Sequence, residues 1–407
     1  MKLGRDLWLQ PLLDLASAEC AAEVMNAEDP LFILYTSGST GKPKGMVHTT
    51  AGYMVYTAYT FKNAFQYREN DVYWCTADVG WITGHSYIIY GPLANGATTL
   101  MFEGVPNYPT SSRFWEVCDK HDIAIFYTAP TALRALMREG DEPVKSTSRK
   151  SIRILGTVGE PINPEAWNWY NEIVGKGTCP IVDTWWQTET GGIMIANYAS
   201  MDVKPGSMGK PLPGIEAGIV EVTDAGAQEI TKPQANGELA LRPGWPSMMR
   251  TYLGQQARYE KSFRDGWYLS GDLAMRDKDG YYWFVGRSDD VIKSAGHLIG
   301  PFEVESALME HPAVAEVGVI GIPDETAGEI VKAYIALKPG FEPGDELQLE
   351  LLGHARKRLG PAVAPKEIAF RQNLPKTRSG KIMRRLLKAR ELGLPEGDIS
   401  TLESDEK

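Results

Sequence analysis

A run rich in glycine, hydroxyl and lysine side chains offers the most specific chemistry in this chain of 407 residues. It reads Thr36-Ser37-Gly38-Ser39-Thr40-Gly41-Lys42-Pro43-Lys44-Gly45 and directly follows the apolar segment 31–35. Glycine frees backbone N–H groups to turn inward, hydroxyls add donors, and lysines add positive charge. The run predicts a cradle for nucleotide phosphates, and the alternative is a flexible surface turn. It is not a Walker A loop, which needs glycine at position 36 and Ser or Thr after Lys42.

Three further polar segments follow along the chain, and they resemble motifs of a known superfamily. They are Asp183-Thr184-Trp185-Trp186-Gln187-Thr188-Glu189-Thr190-Gly191, then Ser270-Gly271-Asp272 continued by Gly286-Arg287-Ser288-Asp289-Asp290, and Pro375-Lys376-Thr377-Arg378-Ser379-Gly380-Lys381. With the glycine-rich loop, they resemble the adenylate-forming superfamily, which includes acyl-CoA synthetases, luciferases and peptide-synthetase adenylation domains. Segments 77–109 and 158–167 resemble the acetyl-CoA synthetase branch in particular. Four motifs in the expected order make this resemblance highly specific.

The resemblance implies ATP-dependent activation of acetate or propionate to an acyl-AMP. The acyl group then passes to coenzyme A, giving acetyl-CoA, AMP and pyrophosphate, as in an AMP-forming acetate–CoA ligase. The implied cofactors and substrates are ATP, Mg²⁺, coenzyme A and acetate. Three alternatives stay open: a related short- or medium-chain acyl-CoA synthetase, an adenylation domain that loads a carrier protein, and an inactive nucleotide-binding remnant.

The resemblance assigns most of these residues to ATP or AMP. Asp272 is an anionic acceptor suited to a ribose diol, or else an ordinary turn aspartate, and Arg287 is a planar bidentate donor for ribose or phosphate oxygens. The full nucleotide set comprises Thr36, Ser37, Gly38, Ser39, Thr40, Gly41, Lys42, Lys44, Gly159, Glu160, Pro161, Asp183, Thr184, Trp185, Trp186, Gln187, Thr188, Asp272 and Arg287.

Lys381 is the implied catalytic residue. A carboxylate that attacks the α-phosphate of ATP brings two anions together, and a cation that touches both stabilises that transition state. The basic run that continues to Arg384 and Arg385 could instead be a solvated face or a nucleic-acid patch, but the P-K-T-x-S-G-K spacing favours catalysis. Lys381 is also a candidate for a lysine acetyltransferase and deacetylase, because acetylation would remove its charge.

The remaining assignments concern the acyl group, coenzyme A and metal ions. The acyl pocket is assigned to Ile82, Thr83, Val158 and Trp186, and the coenzyme A site to Thr83, Asn107, Ala295, Gly296 and Arg356. Glu189 is expected to hold Mg²⁺, and backbone oxygens of Met309, His311 and Val314 a second, structural ion. Two positions depart from the family pattern: Ala295 replaces a serine near coenzyme A, and Leu298 replaces an arginine that reaches the phosphates.

Strand-like and helix-like segments indicate how these residues are positioned. Apolar runs at 31–35, 124–130, 152–159 and 180–187 predict buried strands, and helical patterns at 112–121 and 130–139 lie between them. Short strands are expected over 205–275. A helix at 301–311, strands at 315–323 and 329–339, a helix at 345–359 and a strand near 367–371 predict a small α+β unit. The fold is therefore expected to be α/β, with a parallel-rich large domain and a mobile C-terminal domain.

We expect an adenylation domain over residues 1–288 that lacks the N-terminal part of its family, a hinge at 289–294 pivoting on Asp289, a lid over 295–392 and a flexible tail over 393–407. The net charge of −10 argues against nucleic acid as a general partner. The four cysteines are far apart, which fits a reduced cytoplasm. No segment predicts a membrane span.

Overall fold

The computed structural model describes residues 2–36, 43–377 and 381–397, together with 399 and 402. Within these residues the strands form four sheets. The first sixteen strands are β1 (Pro30–Thr36), β2 (Lys44–Thr49), β3 (Val72–Cys75), β4 (Thr98–Leu100), β5 (Ile123–Thr128), β6 (Ile154–Thr157), β7 (Ile181–Trp185), β8 (Ile195–Ala196), β9 (Lys210–Pro211), β10 (Ala217–Thr223), β11 (Gly226–Glu229), β12 (Asn236–Leu241), β13 (Thr251–Tyr252), β14 (Phe263–Arg264), β15 (Trp267–Arg276) and β16 (Tyr282–Arg287). These strands and the helices among them form what we call the large unit.

A second group of strands forms one sheet of its own, and we call it, with its helices, the small unit. Its strands are β17 (Ile292–Ser294), β18 (His297–Ile299), β19 (Val314–Asp324), β20 (Gly328–Leu337) and β21 (Glu367–Phe370). The helices of the chain are α1 (Leu9–Leu15), α2 (Thr50–Ala64), α3 (Ile82–Gly84), α4 (Gly91–Ala94), α5 (Arg113–Lys120), α6 (Pro130–Arg138), α7 (Glu142–Lys145), α8 (Pro164–Trp169), α9 (Gln256–Glu260), α10 (Pro301–Met309), α11 (Asp345–Leu359) and α12 (Arg384–Glu391), with π-helical turns at His85–Tyr90 and Tyr170–Val174.

The central sheet of the large unit has seven strands in the order β4-β3-β5-β6-β7-β8-β9. The strands from β4 to β7 run parallel, and β8 and β9 are antiparallel. Every residue of β5 is buried, because apolar clusters cover both faces of the sheet. The predicted parallel-rich α/β domain is confirmed, and so are the helices expected at 112–121 and 130–139.

The carboxyl ends of the parallel strands position the predicted nucleotide residues. Strand β6 ends just before Gly159, and β7 runs directly into Trp186. Ligands of open α/β sheets bind at this edge, because the connecting loops there diverge from one another. A hydrogen bond of 2.5 Å from the Thr157 hydroxyl to Asp183 Oδ1 ties the ends of β6 and β7 together.

The strand that leads into the glycine-rich loop is less buried than the sequence predicts. Residues 31–35 do form a strand, but Ile33 is 43% exposed and Tyr35 is 54% exposed. Strand β1 is an edge strand of a three-stranded sheet in the order β1-β2-β13. Side chains alternate between the faces of a strand, so these two residues share one face, and that face is open to solvent. The prediction of a buried strand is therefore wrong in its burial.

The segment 205–275 is rich in short strands, as predicted. Most of them belong to a six-stranded sheet that contains β10, β11, β12, β14, β15 and β16. The register of β15 with β16 places Asp272 opposite Arg287. This pairing brings two predicted site residues together although fourteen residues separate them in the chain.

The small unit also follows its prediction. Helix α11 has the predicted bounds, and α10 begins at Pro301, the favoured first helical position for proline. The hairpin of β17 and β18 turns at Ala295 and Gly296, whose φ angles are 47° and 81°. Positive φ at both central residues is typical of a type I′ turn, and it places a non-glycine residue, Ala295, in the left-handed region.

The two units meet along the start of α10. Phe284 of β16 and Phe302 of α10 pack edge to face with ring centroids 6.0 Å apart. A β-carbon at Gly300 would lie 1.9 Å from the carbonyl oxygen of Val285, so only glycine allows this backbone approach. Among the described residues, no helix is both long and apolar enough to cross a membrane.

Candidate active site

A cavity of about 670 Å³ is lined by residues from both units. It lies at the carboxyl edge of the central sheet, where the loops after β6 and β7 diverge. The predicted site residues that line it are Thr36, Lys44, Gly159, Glu160, Pro161, Asp183, Thr184, Trp185, Trp186, Gln187, Thr188, Glu189, Asp272, Arg287, Asp289, Met309 and Lys381. The structure thus brings together residues from all four sequence motifs.

Other predicted residues lie elsewhere. Those outside the lining of the cavity are Ile82, Thr83, Asn107, Val158, Ala295, Gly296, His311, Val314 and Arg356. Val158 is buried in the core beneath the sheet edge, and Arg356 is exposed on α11. Residues 37–42 of the glycine-rich loop, all assigned to phosphate binding, lie outside the described residues.

Asp272 is the centre of a hydrogen-bonded cluster at the cavity wall. Its Oδ1 accepts from Arg287 Nη1 at 2.8 Å, and its Oδ2 accepts from Trp185 Nε1 at 3.0 Å and Gln187 Nε2 at 3.2 Å. Burial raises the pKa of Asp272, although Arg287 opposes that shift. A carboxylate has about four lone-pair sites, so the three donors leave capacity for one ligand hydroxyl. The cluster holds Asp272 rigid and leaves it able to accept from a diol.

Arg287 is held from two sides. It pairs with Asp272, and its Nε lies 3.4 Å from Oδ1 of Asp289. Burial disfavours the charge of the guanidinium, but Asp272 and Asp289 outweigh this and raise the pKa of Arg287. Arg287 is therefore a permanent, oriented cation at the junction of the two units.

Lys381 reaches the cavity from the small unit. The hydroxyl of Thr377 accepts from the Lys381 backbone N–H at 3.2 Å, and the Lys381 carbonyl accepts from the Thr377 N–H at 2.8 Å. Its side chain is accessible because it faces the cavity, but protein surrounds that cavity. Loss of bulk water lowers the pKa of Lys381, and the nearby cations Arg287 and Arg384 lower it further. A lysine beside two guanidinium groups suits a polyanionic ligand, although nearby carboxylates partly offset these positive charges.

Lys44, Glu189 and Tyr252 form a second polar cluster. Lys44 Nζ lies 2.6 Å from Glu189 Oε1 and 3.1 Å from the Tyr252 hydroxyl. Burial opposes ionisation of Glu189, but Lys44 outweighs it and lowers the pKa of the carboxyl. Glu189 is therefore a fixed carboxylate at the cavity wall.

Glu189 can be tested as the Mg²⁺ ligand that the family implies. Among the described residues, no three His, Cys, Asp or Glu side chains gather as a metal site. Lys44 occupies Oε1 of Glu189, which leaves Oε2 for a cation. Mg²⁺ typically binds one or two carboxylates together with substrate phosphates, and not a cage made only of protein groups. The residues fit an ion that arrives with the triphosphate.

The loop after β7 is fixed by a buried histidine that the sequence reasoning missed. His48 Nε2, as the N–H tautomer, donates to the Thr188 carbonyl at 2.7 Å. Burial lowers the pKa of His48 to about 4, so its ring stays neutral near pH 7. Tyr252 was missed as well. Spacing gives no signal for either residue, because His48 lies 140 residues before Thr188 and Tyr252 lies 63 residues after Glu189.

Trp186 lies between the cavity and the core. Its indole lines the cavity and meets the buried ring of Tyr87 edge to face, with centroids 5.0 Å apart. The same apolar cluster contains Val158. A large flat side chain backed by a packed core is suited to limit the depth of a pocket. Ile82 and Thr83, the other predicted acyl-pocket residues, lie outside this lining.

The sequence matches two known families of protein domains. Residues 5–253 match the AMP-binding enzyme family, and residues 303–381 match the AMP-binding enzyme C-terminal domain. The chain belongs to the AMP-binding enzyme family. The first match ends just after Tyr252, so it includes the glycine-rich loop and the motif at 183–191 of this AMP-binding enzyme. The second match ends at Lys381.

Several relatives of this AMP-binding enzyme carry one name. The acetyl-coenzyme A synthetase of Xylella fastidiosa (strain 9a5c) is 58% identical over 408 residues, and that of Desulfatibacillum aliphaticivorans is 55% identical over 410 residues. Each match covers 99% of this chain but 62% of the relative. The chain thus spans less than two thirds of the length of these synthetases.

Solved structures share the fold. An anthranilate CoA ligase in complex with anthranoyl-AMP is 31% identical, with a TM-score of 0.82 over 92% of this chain and 70% of that one. An acyl-CoA synthetase from Brucella canis is 33% identical, with a TM-score of 0.64 over 96% of this chain and 71% of that one. The expected AMP-binding fold with a C-terminal domain is confirmed.

Proposed function

We propose that this chain carries the active site of an AMP-forming acetate–CoA ligase. The observation that carries the proposal is the convergence of Lys381, Arg287, Asp272 and Trp186 on one cavity. Lys381 supplies a cation that moves with the small unit, and Arg287 supplies a fixed cation. Asp272 accepts hydrogen bonds from hydroxyl groups, and Trp186 forms an apolar wall. Relatives at 55–58% identity that are named acetyl-coenzyme A synthetase support acetate as the acid.

In the first half-reaction, a carboxylate oxygen of acetate bonds to the α-phosphorus of ATP. The bond from that phosphorus to the bridging oxygen breaks, and pyrophosphate leaves with the electron pair. Asp272 would accept from the ribose, Arg287 would hold ribose or phosphate oxygens, and Lys381 would contact both the attacking oxygen and the α-phosphate. Mg²⁺ held at Glu189 would neutralise charge on the triphosphate.

In the second half-reaction, the sulfur of coenzyme A attacks the acyl carbon, AMP leaves, and the thiol proton passes to solvent. The proposed coenzyme A residues are Thr83, Asn107, Ala295, Gly296 and Arg356, which lie outside the cavity lining in this arrangement. We propose that residues 295–392 turn about a hinge at 289–294 to bring them into use, although β17 at the end of this hinge already pairs within the sheet of the small unit. The backbone of Met309, His311 and Val314 stays a proposed site for a structural ion.

Two further proposals concern the setting of the enzyme. The four cysteines are free thiols, three of them buried, which supports a reducing compartment such as the cytoplasm. Lys381 faces an accessible cavity, which supports reversible acetylation by a lysine acetyltransferase and a deacetylase as a means of control.

The exchange of labelled pyrophosphate into ATP tests the first half-reaction directly. We expect exchange that requires acetate, is weaker with propionate and is absent without an acid. Propionate has one methylene more than acetate, and each methylene in an apolar pocket contributes about 1–3 kcal/mol to discrimination. Propionate should therefore be used less well than acetate but not excluded. Amino acids serve as the control substrates. Exchange with amino acids but not with acetate would instead indicate a domain that loads a carrier protein.

Replacing Trp186 with glycine is expected to change the acid that is used. Loss of the indole opens space toward Tyr87 and removes apolar contact with acetate, so acids of roughly four to eight carbons should gain and acetate should lose. The measurement is exchange with a series of acids of increasing chain length. Trp186→Phe is the matched control, because it keeps an aromatic wall and should keep the preference for acetate. A parental preference in the glycine variant would show that Trp186 does not bound the acyl site.

A further inference from the structure

An arginine at the end of α6 joins the large unit to the small unit. Arg138 Nη2 lies 2.7 Å from Oε1 of Glu316 and donates to the Ala315 carbonyl at 3.0 Å. Ala315 and Glu316 both belong to β19. A single guanidinium thus contacts one carboxylate and one backbone carbonyl across the boundary between the units.

Glu316 connects this contact to the segment that carries Lys381. Its two carboxylate oxygens accept from Lys376 Nζ at 3.0 and 3.2 Å. Lys376 pairs with Ile382 in a β-bridge, so the backbone holds Lys376 close to the neighbouring Lys381. We call Arg138, Glu316 and Lys376 the latch.

The latch is partly shielded from water. The exposed fractions of the three side chains are 33% for Arg138, 17% for Glu316 and 23% for Lys376. Burial opposes ionisation of Glu316, but the two cations outweigh it and lower the pKa of its carboxyl. Glu316 is therefore an anion between two cations near neutral pH.

We propose that Arg138 is a positioning residue that holds the small unit where Lys381 reaches the cavity. The proposal rests on the proposed function for the meaning of that position, because only the first half-reaction uses Lys381. Arg138 acts through Glu316 and Lys376, and it is not proposed to contact the reacting atoms. When the small unit turns away, Glu316 and Lys376 keep each other because both belong to that unit, whereas water can replace the partners of Arg138, so the contact across the boundary is reversible in a way that a packed apolar interface is not.

Arg138→Gln removes the ion pair and leaves a shorter, uncharged polar side chain. Its matched control is Arg276→Gln, because Arg276 is 32% exposed and its pair with Glu229 lies wholly within the six-stranded sheet of the large unit. We expect Arg138→Gln to slow pyrophosphate exchange by about 3-fold to 10-fold, which corresponds to loss of a partly exposed charged contact. Thioester formation from preformed acetyl-AMP should stay unchanged or increase. Arg138→Lys, which restores one charged contact, should recover much of the exchange rate.

A distance measurement tests the latch without any reaction. Cys20 is the exposed cysteine, and Cys75, Cys118 and Cys179 are buried, so Cys20→Ser leaves a background suited to thiol labels. Spin labels at Lys62→Cys on α2 and Leu349→Cys on α11 report the separation of the two units by electron–electron double resonance. Arg138→Gln should broaden or shift this distance distribution, and Arg276→Gln should leave it as in the parent.

These readouts separate the latch from the proposed function. A shifted distance distribution in a chain with no exchange activity would support the latch and count against the proposed function. An unchanged distribution, or an equal loss in both half-reactions, would overturn the latch while leaving the proposed function standing.

Discussion

Replacing Lys381 with alanine is expected to slow the formation of acetyl-AMP by about 10²–10³-fold. The ammonium group would be the contact that offsets the growing negative charge where the carboxylate meets the α-phosphate. Thioester formation from preformed acetyl-AMP should be largely unaffected, because the bond to the α-phosphorus already exists in that substrate. Pyrophosphate exchange measures the first half-reaction, and thioester release from added acetyl-AMP measures the second.

Lys388→Ala is the matched control for Lys381→Ala. Lys388 lies on α12 in the same basic run, but it pairs with Glu329 at 2.8 Å and lies outside the cavity lining. We expect parental rates for this variant in both half-reactions. If Lys381→Ala lost both half-reactions equally, the residue would act on folding or on nucleotide binding in general, and the proposed role would be wrong.

Replacing Asp289 with proline is expected to slow the second half-reaction by at least about tenfold and to change the first only modestly, because proline fixes φ and cannot adopt a new backbone angle at the pivot. Asp289 lies in the turn between β16 and β17, where the large unit passes into the small unit. The same pair of assays measures the effect.

Asp289→Ala separates the backbone effect from the side-chain effect. Alanine removes the carboxylate and its contact with Arg287 but leaves φ free. We expect it to retain the second half-reaction and to change the first only modestly, because only the contact with Arg287 is lost. Normal thioester synthesis by Asp289→Pro would rule out a turn about this residue.

The architecture could be predicted from the sequence because its elements carry local signals. The run that forms β5 is almost continuously apolar, the run that forms α11 is long and rich in good helix formers, and the structure gives α11 the predicted bounds. The burial of β1 was not predictable in the same way. An apolar run indicates a strand, but exposure depends on which neighbours cover it, and β1 lies at the edge of its sheet.

The site was predictable as a set of motifs and not as a geometry. Motif order identified Asp272, Arg287 and Lys381, whereas the hydrogen bonds that share Asp272 among Trp185, Gln187 and Arg287 depend on distant segments folding together. His48 and Arg138 had no local signal. A single histidine and an arginine at the end of a helix are common in any sequence. Their roles become evident only from their distant partners, Thr188 and Glu316.

A β-carbon at Gly300 would lie 1.9 Å from the carbonyl oxygen of Val285, so the glycine is required while these two backbones touch. Val285 precedes the proposed pivot and Gly300 follows it, and a turn about Asp289 would part them. The requirement for glycine then belongs to one arrangement of the units only. Over evolutionary time, purifying selection at this position would come only from the arrangement in which Lys381 reaches the cavity, and lineages that abandoned it would be free to drift to larger residues there.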